Sequence, residues 1–343
     1  MEKMRAAVLV EPKRLELQQV RIPEIGPHDV LIRVLRTGIC GTDVHIYNGH
    51  YAADRLPLVP GHEFCGRIAK LGGNVKHLHE GQLCVADINI GCGTCYWCRR
   101  NEILNCPSMV QVGIGRDGAF ADYVAVPARL VIPAPERIAI EILSLTEPVA
   151  CVVRAARKSR VGIGQSAVVL GAGPIGNLHV QLLRLVGAAP ILVADISHDR
   201  CRMALEAGAD VAVSDPASLK AQVLEATGGR GADLVIESVG NAGLYQKAFE
   251  LIRKGGHVAF FGLAGAGQTV PLEILQTILE ENSLKGSVGG MGEDMHDALT
   301  LLSHGRFRTA AFTRASYPLE QIGEAFRTMP DRPADLKTQI VLG

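Results

Sequence analysis

Three things are scarce in this sequence. Aromatic residues are 4% of its 343 positions, the 35 Lys and Arg are cancelled by 35 Asp and Glu, and no apolar run approaches membrane-spanning length. Zero formal charge leaves no basic field for nucleic acid or anionic lipid, so neither is expected as a partner. The short apolar runs argue against a membrane helix. The first ten residues carry Glu2, Lys3 and Arg5 with no signal-peptide core, so a cytoplasmic location is expected. Glycine is abundant instead, with 38 residues, which suits sheets with tight turns and close backbone approaches. A chain of this length is expected to form two domains.

Nine cysteines are an odd number, and four of them fall within fifteen residues. Cys92, Cys95, Cys98 and Cys106 form a C-x2-C-x2-C-x7-C array. Four thiolates so spaced can close a tetrahedron around Zn2+ with no open position, a structural site that staples a loop too poor in apolar residues to fold alone. Disulfides and an iron–sulfur cluster are the other readings, but nothing indicates secretion and nothing demands electron transfer.

A second donor set is mixed. Cys40 supplies a thiolate, His62 an imidazole and Glu63 a hard oxygen, which a four-coordinate zinc accepts and a catalytic site leaves one position short of closed. Taken alone these residues are as compatible with a small buried cysteine and an ordinary His-Glu pair.

From Ala6 to about Val131, short alternating or β-branched runs are separated by Gly, Pro and Asn, the pattern of an antiparallel, barrel-like β domain. Its expected strands include Asp29 to Thr37, Phe64 to Leu71, Gln82 to Ile88 and Ala119 to Val126, with the β pattern stopping between Ile88 and Pro107. A helical stretch is expected from Ala139 to Arg160, carrying Glu147, Pro148 and Cys151. The strand Ser166 to Leu170 then runs into Gly171-Ala172-Gly173-Pro174-Ile175-Gly176 and a helical pattern. A GxGxxG between strand and helix is the dinucleotide fingerprint, with Gly171 for the turn, Gly173 for pyrophosphate approach and Gly176 for helix packing. Pro174 suits a helix start. The next strand ends in Asp195, placed to bond the ribose hydroxyls and repel a 2′-phosphate, which predicts NAD; Arg200 is expected to stack on the adenine rather than accept a phosphate. Strands at Val211 to Val213, Leu234 to Glu237, Val258 to Phe261 and Leu284 to Val288 complete a six-stranded doubly wound parallel sheet. Helices near Asp294 to Ser303 and Leu319 to Met329 and a strand from Thr338 to Leu342 close the chain.

Cys40-Gly41-Thr42-Asp43-Val44-His45, Gly61-His62-Glu63, the four-cysteine lobe and the Gly171 fingerprint, in this order, resemble the zinc-dependent medium-chain dehydrogenases, over essentially the whole chain. The resemblance implies a GroES-like β-barrel catalytic domain (1–150 and 290–343, with a structural zinc lobe at about 88–107) and a Rossmann domain (151–289). It implies one catalytic and one structural zinc per chain and a small-molecule alcohol substrate. Zinc would polarise the alcohol and its carbinol hydride would pass to NAD, with Thr42 and His45 carrying the proton away. Glu147-Pro148 resembles the Glu-Pro step of sorbitol- and threonine-dehydrogenase-like members and makes Glu147 the expected last zinc ligand, with Glu63 exchanging with water; Cys151 is the alternative. Polyol, sugar or cyclitol substrates lead, followed by a threonine-type amino alcohol or a simple alcohol; a zinc-less quinone or enone reductase is the further alternative. Around Ser287 to Gly290 the chain lacks the Arg-bearing segment by which polyol and threonine members hold polar substrates, and Gln82 replaces a common Asp. Relatives imply a homo-oligomer, tetramer before dimer, with Phe260, Phe261 and Val288 as candidates for the pairing edge.

Overall fold

A computed structural model describes residues 2–342. The chain divides into two compact units, one of Met1–Ala150, Gly289–Gly305 and Phe312–Gly343, the other of Cys151–Val288 and Arg306–Ala311.

The first unit is built on a seven-stranded sheet. Its main path runs Ala315–Pro318, Thr338–Val341, Asp29–Gly38, Glu63–Leu71, Leu83–Ala86 and Val131–Pro133, and Tyr123–Pro127 also pairs with Asp29–Gly38. The long Asp29–Gly38 strand is the hub. Its first half pairs with Tyr123–Pro127 and its last three residues with the C-terminal strand, so residues some three hundred positions apart meet on it. A hairpin of Lys3–Glu11 and Arg14–Arg21 is tied on by bridges to Ala121 and Leu58. Leu9, Ile32, Ile46, Ile68 and Phe120 are fully buried at the centre of this core.

Four expected elements differ here. The strand expected from Ala119 starts at Tyr123, because Ala119 and Phe120 donate their N–H groups to Gly61 and Pro60 instead of to a ladder. The β pattern does not stop at Ile88: a short Asn89–Ile90/Val110–Gln111 pair clasps the base of the cysteine lobe. The helix expected from Ala139 to Arg160 is broken into Ile140–Leu143 and Thr146–Ser159, where the Thr146 hydroxyl donates to Leu143 O at 2.7 Å. Glu147 therefore sits in the first turn of a new helix. Near the C-terminus the expected helix is likewise divided, a 3-10 turn at Leu319–Gln321 preceding Ile322–Thr328.

The second unit is a six-stranded parallel sheet in the order Val211–Val213, Ile191–Ala194, Ala167–Leu170, Ala232–Glu237, Ile252–Phe260, Ser283–Gly286. Counted along the chain this is 3-2-1-4-5-6, the doubly wound order. Both faces are covered. Val169, Ile191, Val193, Leu234 and Ile236 pack with Val180 and Leu183 of one helix, while Val168, Leu170, Leu192 and Val235 pack with Leu219, Val223 and Ala248 on the opposite face. Such strands read as continuous apolar runs because neither face meets water. The expected edge is corrected: Phe260 lies on a strand paired on both sides, and the edge is Ser283–Gly286, ending before Val288. Among the described residues no helix is long and apolar enough to cross a membrane.

Candidate active site and metal centres

Cys40 ends the turn after the hub strand and precedes the Gly41–Tyr47 helix, while Glu63 begins the neighbouring strand and pairs in register with Gly38. Sheet register thus brings Cys40, His62 and Glu63 together, with one ligand atom from each lying within 4.8 Å of the others. His62 and Glu63 are buried and Cys40 half-buried.

Asp43, absent from the expected site, organises this set. Its carboxylate is fully buried, accepts the Cys40 N–H at 2.8 Å and the Gly61 N–H at 3.3 Å, and lies 3.3 Å from His62 Nδ1, off the line of a hydrogen bond. An acid three residues after a helix-capping position is a readable signal. Burial opposes charge on His62, but the Asp43 and Cys40 charges prevail and hold its pKa well above the usual value.

Lys337 is the second residue that sequence reasoning missed. Its Nζ donates to both oxygens of Glu63 at 2.7 Å, and to Ile39 O at 3.3 Å, with both side chains almost wholly buried. A side chain at position 38 would collide with Glu63 Oε2, so Gly38 makes room for the pair. Burial pushes the Lys337 pKa down, yet the charges of Glu63, Cys40 and Glu147 raise it overall. No local pattern marks Lys337, because its partner lies 274 residues away.

The donor chemistry fits zinc. Sulfur, nitrogen and oxygen ligand atoms converge here, and a bound zinc would displace the protons of Cys40 and His62, leaving the thiolate, Asp43, Glu63 and Glu147 to face Lys337 and the dication. Glu147 and Cys151 are buried outside the compact set of three, and Glu147 stands close enough to act on the Lys337 charge. Thr42 and His45 are half-buried on the Gly41–Tyr47 helix, three residues apart and so on one face.

The ligand atoms of Cys92, Cys95, Cys98 and Cys106 also lie within 4.8 Å of one another. Cys92 and Cys98 sulfurs are 4.0 Å apart, near the roughly 3.8 Å edge of a tetrahedron with zinc–sulfur bonds of about 2.3 Å. Backbone N–H groups of Cys95, Cys98 and Cys92 point at the sulfurs of Cys92, Cys95 and Cys106. Hydrogen bonds from Thr94 and Cys95 lower the Cys92 thiol to about 6. All nine cysteines are free thiols. Crowded sulfurs without a disulfide are what a tetrathiolate zinc site requires.

In the second unit Gly171 takes a φ of +97°, open chiefly to glycine, and a Cβ at Gly176 would strike Gly171 O. Gly173 caps the Pro174–Leu185 helix, whose N-terminal turn, with Pro174 and Ile175, can receive a pyrophosphate. Asp195 Oδ2 accepts the Ala172 N–H and Oδ1 the Ser197 N–H, both at 2.8 Å, which fixes the acid beside the fingerprint turn. Arg200 Nη1 is 4.0 Å from Asp195 Oδ2.

Comparison with known proteins agrees with both halves. Residues 26–136 match the family model described as alcohol dehydrogenase GroES-like domain, and residues 174–304 match zinc-binding dehydrogenase. An L-threonine 3-dehydrogenase of Rhizobium rhizogenes is 34% identical over 83% of this chain and 84% of its own. Among solved structures, a protein of Sinorhizobium meliloti 1021 described as a zinc-binding dehydrogenase bound to NADP superposes with a TM-score of 0.90 at 30% identity, covering 99% of this chain and 100% of the other. L-idonate 5-dehydrogenase of Escherichia coli superposes with a TM-score of 0.88 at 27% identity, covering 99% and 98%. The chain belongs to the zinc-dependent medium-chain alcohol dehydrogenase family, an oxidoreductase acting on CH–OH groups with a nicotinamide cofactor and zinc.

Proposed function

We propose that the protein oxidises a secondary alcohol on a polyol, sugar or cyclitol to the ketone, passing the hydride to NAD. The observation that carries this reading is the convergence of Cys40, His62 and Glu63 on a chain that also carries the dinucleotide fingerprint. Cys40, His62 and Glu147, with Glu63 exchanging with water, would hold a zinc, which would supply a Lewis acid for the alcohol oxygen. Asp43 holds the His62 imidazole in place, and Lys337 neutralises Glu63 so that the carboxylate can stand beside the site. The Thr42 hydroxyl accepts the alcohol proton while giving up its own, which His45 passes outward, imidazole being suited to proton transfer near neutral pH. The place of Asp195, fixed by two N–H groups, supports NAD, because a carboxylate there repels a 2′-phosphate.

L-Threonine is the second reading, supported by the name of the R. rhizogenes relative and by the Cys40–Tyr47 run. Incubation with NAD or NADP and a panel of polyols, cyclitols, sugar acids, L-threonine and simple secondary alcohols tests both. Turnover of a polyol or cyclitol with NAD supports the first reading; turnover of L-threonine alone replaces it with the second. A homo-oligomer, tetramer before dimer, is also proposed. The unpaired Ser283–Gly286 edge and the exposed Ile274, Leu275, Ile278 and Leu279 support it, and light scattering tests it. Nine free thiols suit a reducing cytoplasm.

A further inference from the structure

Glu237 is a charged residue that the site above does not use. It ends the Ala232–Glu237 strand, is 0% exposed, and pairs with no Lys or Arg among the described residues. Its partners are backbone. Oε1 accepts the Val239 and Gly240 N–H groups at 3.0 Å and the Asn241 N–H at 3.5 Å, and Oε2 lies 3.0 Å from Gly240 N. Burial pushes the carboxyl pKa up, and these N–H groups pull against it. The Tyr245 hydroxyl faces the same carboxylate and donates to Gly262 O.

Two loops are thereby locked together. A Cβ on Gly240 would run into Leu263 O and one on Gly262 into Gly240 N, so the backbones leaving two adjacent strands touch above the carboxylate. Phe261 and Gly262 N–H groups bond Glu237 O at 3.0 Å, while Ser238 Oγ lies 2.8 Å from Leu170 O and 3.2 Å from Gly171 O, stapling the loop to the fingerprint turn. The loop tips leave Val239 and Leu263 exposed, apolar surface that a ligand could cover.

Strand order reverses between Ala167–Leu170 and Ala232–Glu237, and a dinucleotide crosses a doubly wound sheet at that point. Gly171–Gly176 and Asp195 account for the first nucleotide, so the second must lie over the 238–241 and 261–263 loops. We propose that Glu237 is a positioning residue whose carboxylate, by gathering the N–H groups of residues 239–241, sets the platform for the nicotinamide half of the cofactor. The inference rests on the nicotinamide-cofactor reading above. A carboxylate is required because every facing backbone group is a donor, and an amide would set its own N–H2 against one of them.

The test is binding of NADH and of AMP, the latter standing for the first half alone, to the full-length protein by fluorescence and calorimetry. Glu237→Gln should weaken NADH roughly tenfold, as expected for a damaged charge-assisted contact, with AMP within about twofold of wild type. Glu237→Asp, which keeps the acceptors on a shorter arm, should recover part of the loss. Equal weakening of both ligands, or unchanged NADH binding, overturns the role of Glu237. If Glu237→Gln does not fold, Tyr245→Phe tests the same platform, and unchanged NADH binding there overturns it. Wild-type protein that binds AMP but neither NADH nor NADPH overturns the cofactor reading and this inference with it.

Discussion

Replacing Lys337 by Met asks how much the buried charge pair contributes. Nζ lies 2.7 Å from each Glu63 oxygen, and the side chains are 4% and 1% exposed. At an effective dielectric of about 20, unit charges at that separation attract by about 6 kcal/mol. Most of that only offsets desolvation, but removing one partner leaves the other buried and unpaired, at a net cost of about 3–5 kcal/mol. Here the orphan would be Glu63, buried beside Cys40 and His62, so a loss within that range is expected. The double variant Lys337→Met/Glu63→Gln removes both charges and should regain more than half of the loss. Denaturant melts of chelator-treated wild type, both single variants and the double variant give the coupling directly. A loss below about 1 kcal/mol in Lys337→Met, or a double variant no more stable than the single, would refute the argument that this pair is a mutually dependent buried unit.

Three further outcomes are expected. Glu147→Ala should remove the catalytic zinc while the structural zinc stays, read by metal analysis and loss of turnover; retention of both zincs, with Cys151→Ala losing one instead, would transfer the ligand role to Cys151. Cys95→Ser should lose the other zinc and lower the melting temperature, with one zinc per chain retained at the Cys40 and His62 site. His179, buried against Phe261 with Nε2 unpartnered, is held by burial at a pKa of about 3. The unfolded chain binds that proton near pH 6.5 and the folded chain does not, so the contribution is neutral above pH 6.5 and stability is lost as pH falls from there towards 3. By pH 5 the loss is about 2 kcal/mol. His179→Leu should flatten that acid limb in chelator-treated melts; an unchanged slope would show that another group causes it.

Much of the site was legible from the chain alone because its signals are local. The cysteine lobe and the glycine turn are short-range patterns, in which a metal tetrahedron or a tight turn dictates both spacing and residue type. The alternation of apolar strands with helices announced a doubly wound sheet for the same reason, since strands covered on both faces must be apolar throughout. Asp43 was missed although its offset from Cys40 is a signal, and only the structure shows the carboxylate reaching Cys40, Gly61 and His62.

Tertiary structure decided what depends on distant pairing. Lys337 reaches Glu63 because the C-terminal strand docks on the end of the Asp29–Gly38 hub, a contact no local window contains. The sheet edge fell at Ser283–Gly286 because strand order, unlike strand identity, is set by packing. The interruption before Thr146 follows from one side-chain bond to Leu143 O that helix propensity does not foresee. Glu237 reads in sequence as the polar end of a strand, and only the fold turns four backbone N–H···O contacts onto it. Spacing determined which chemistry the chain can carry; long-range register determined which charges are buried beside that chemistry and so must be paired.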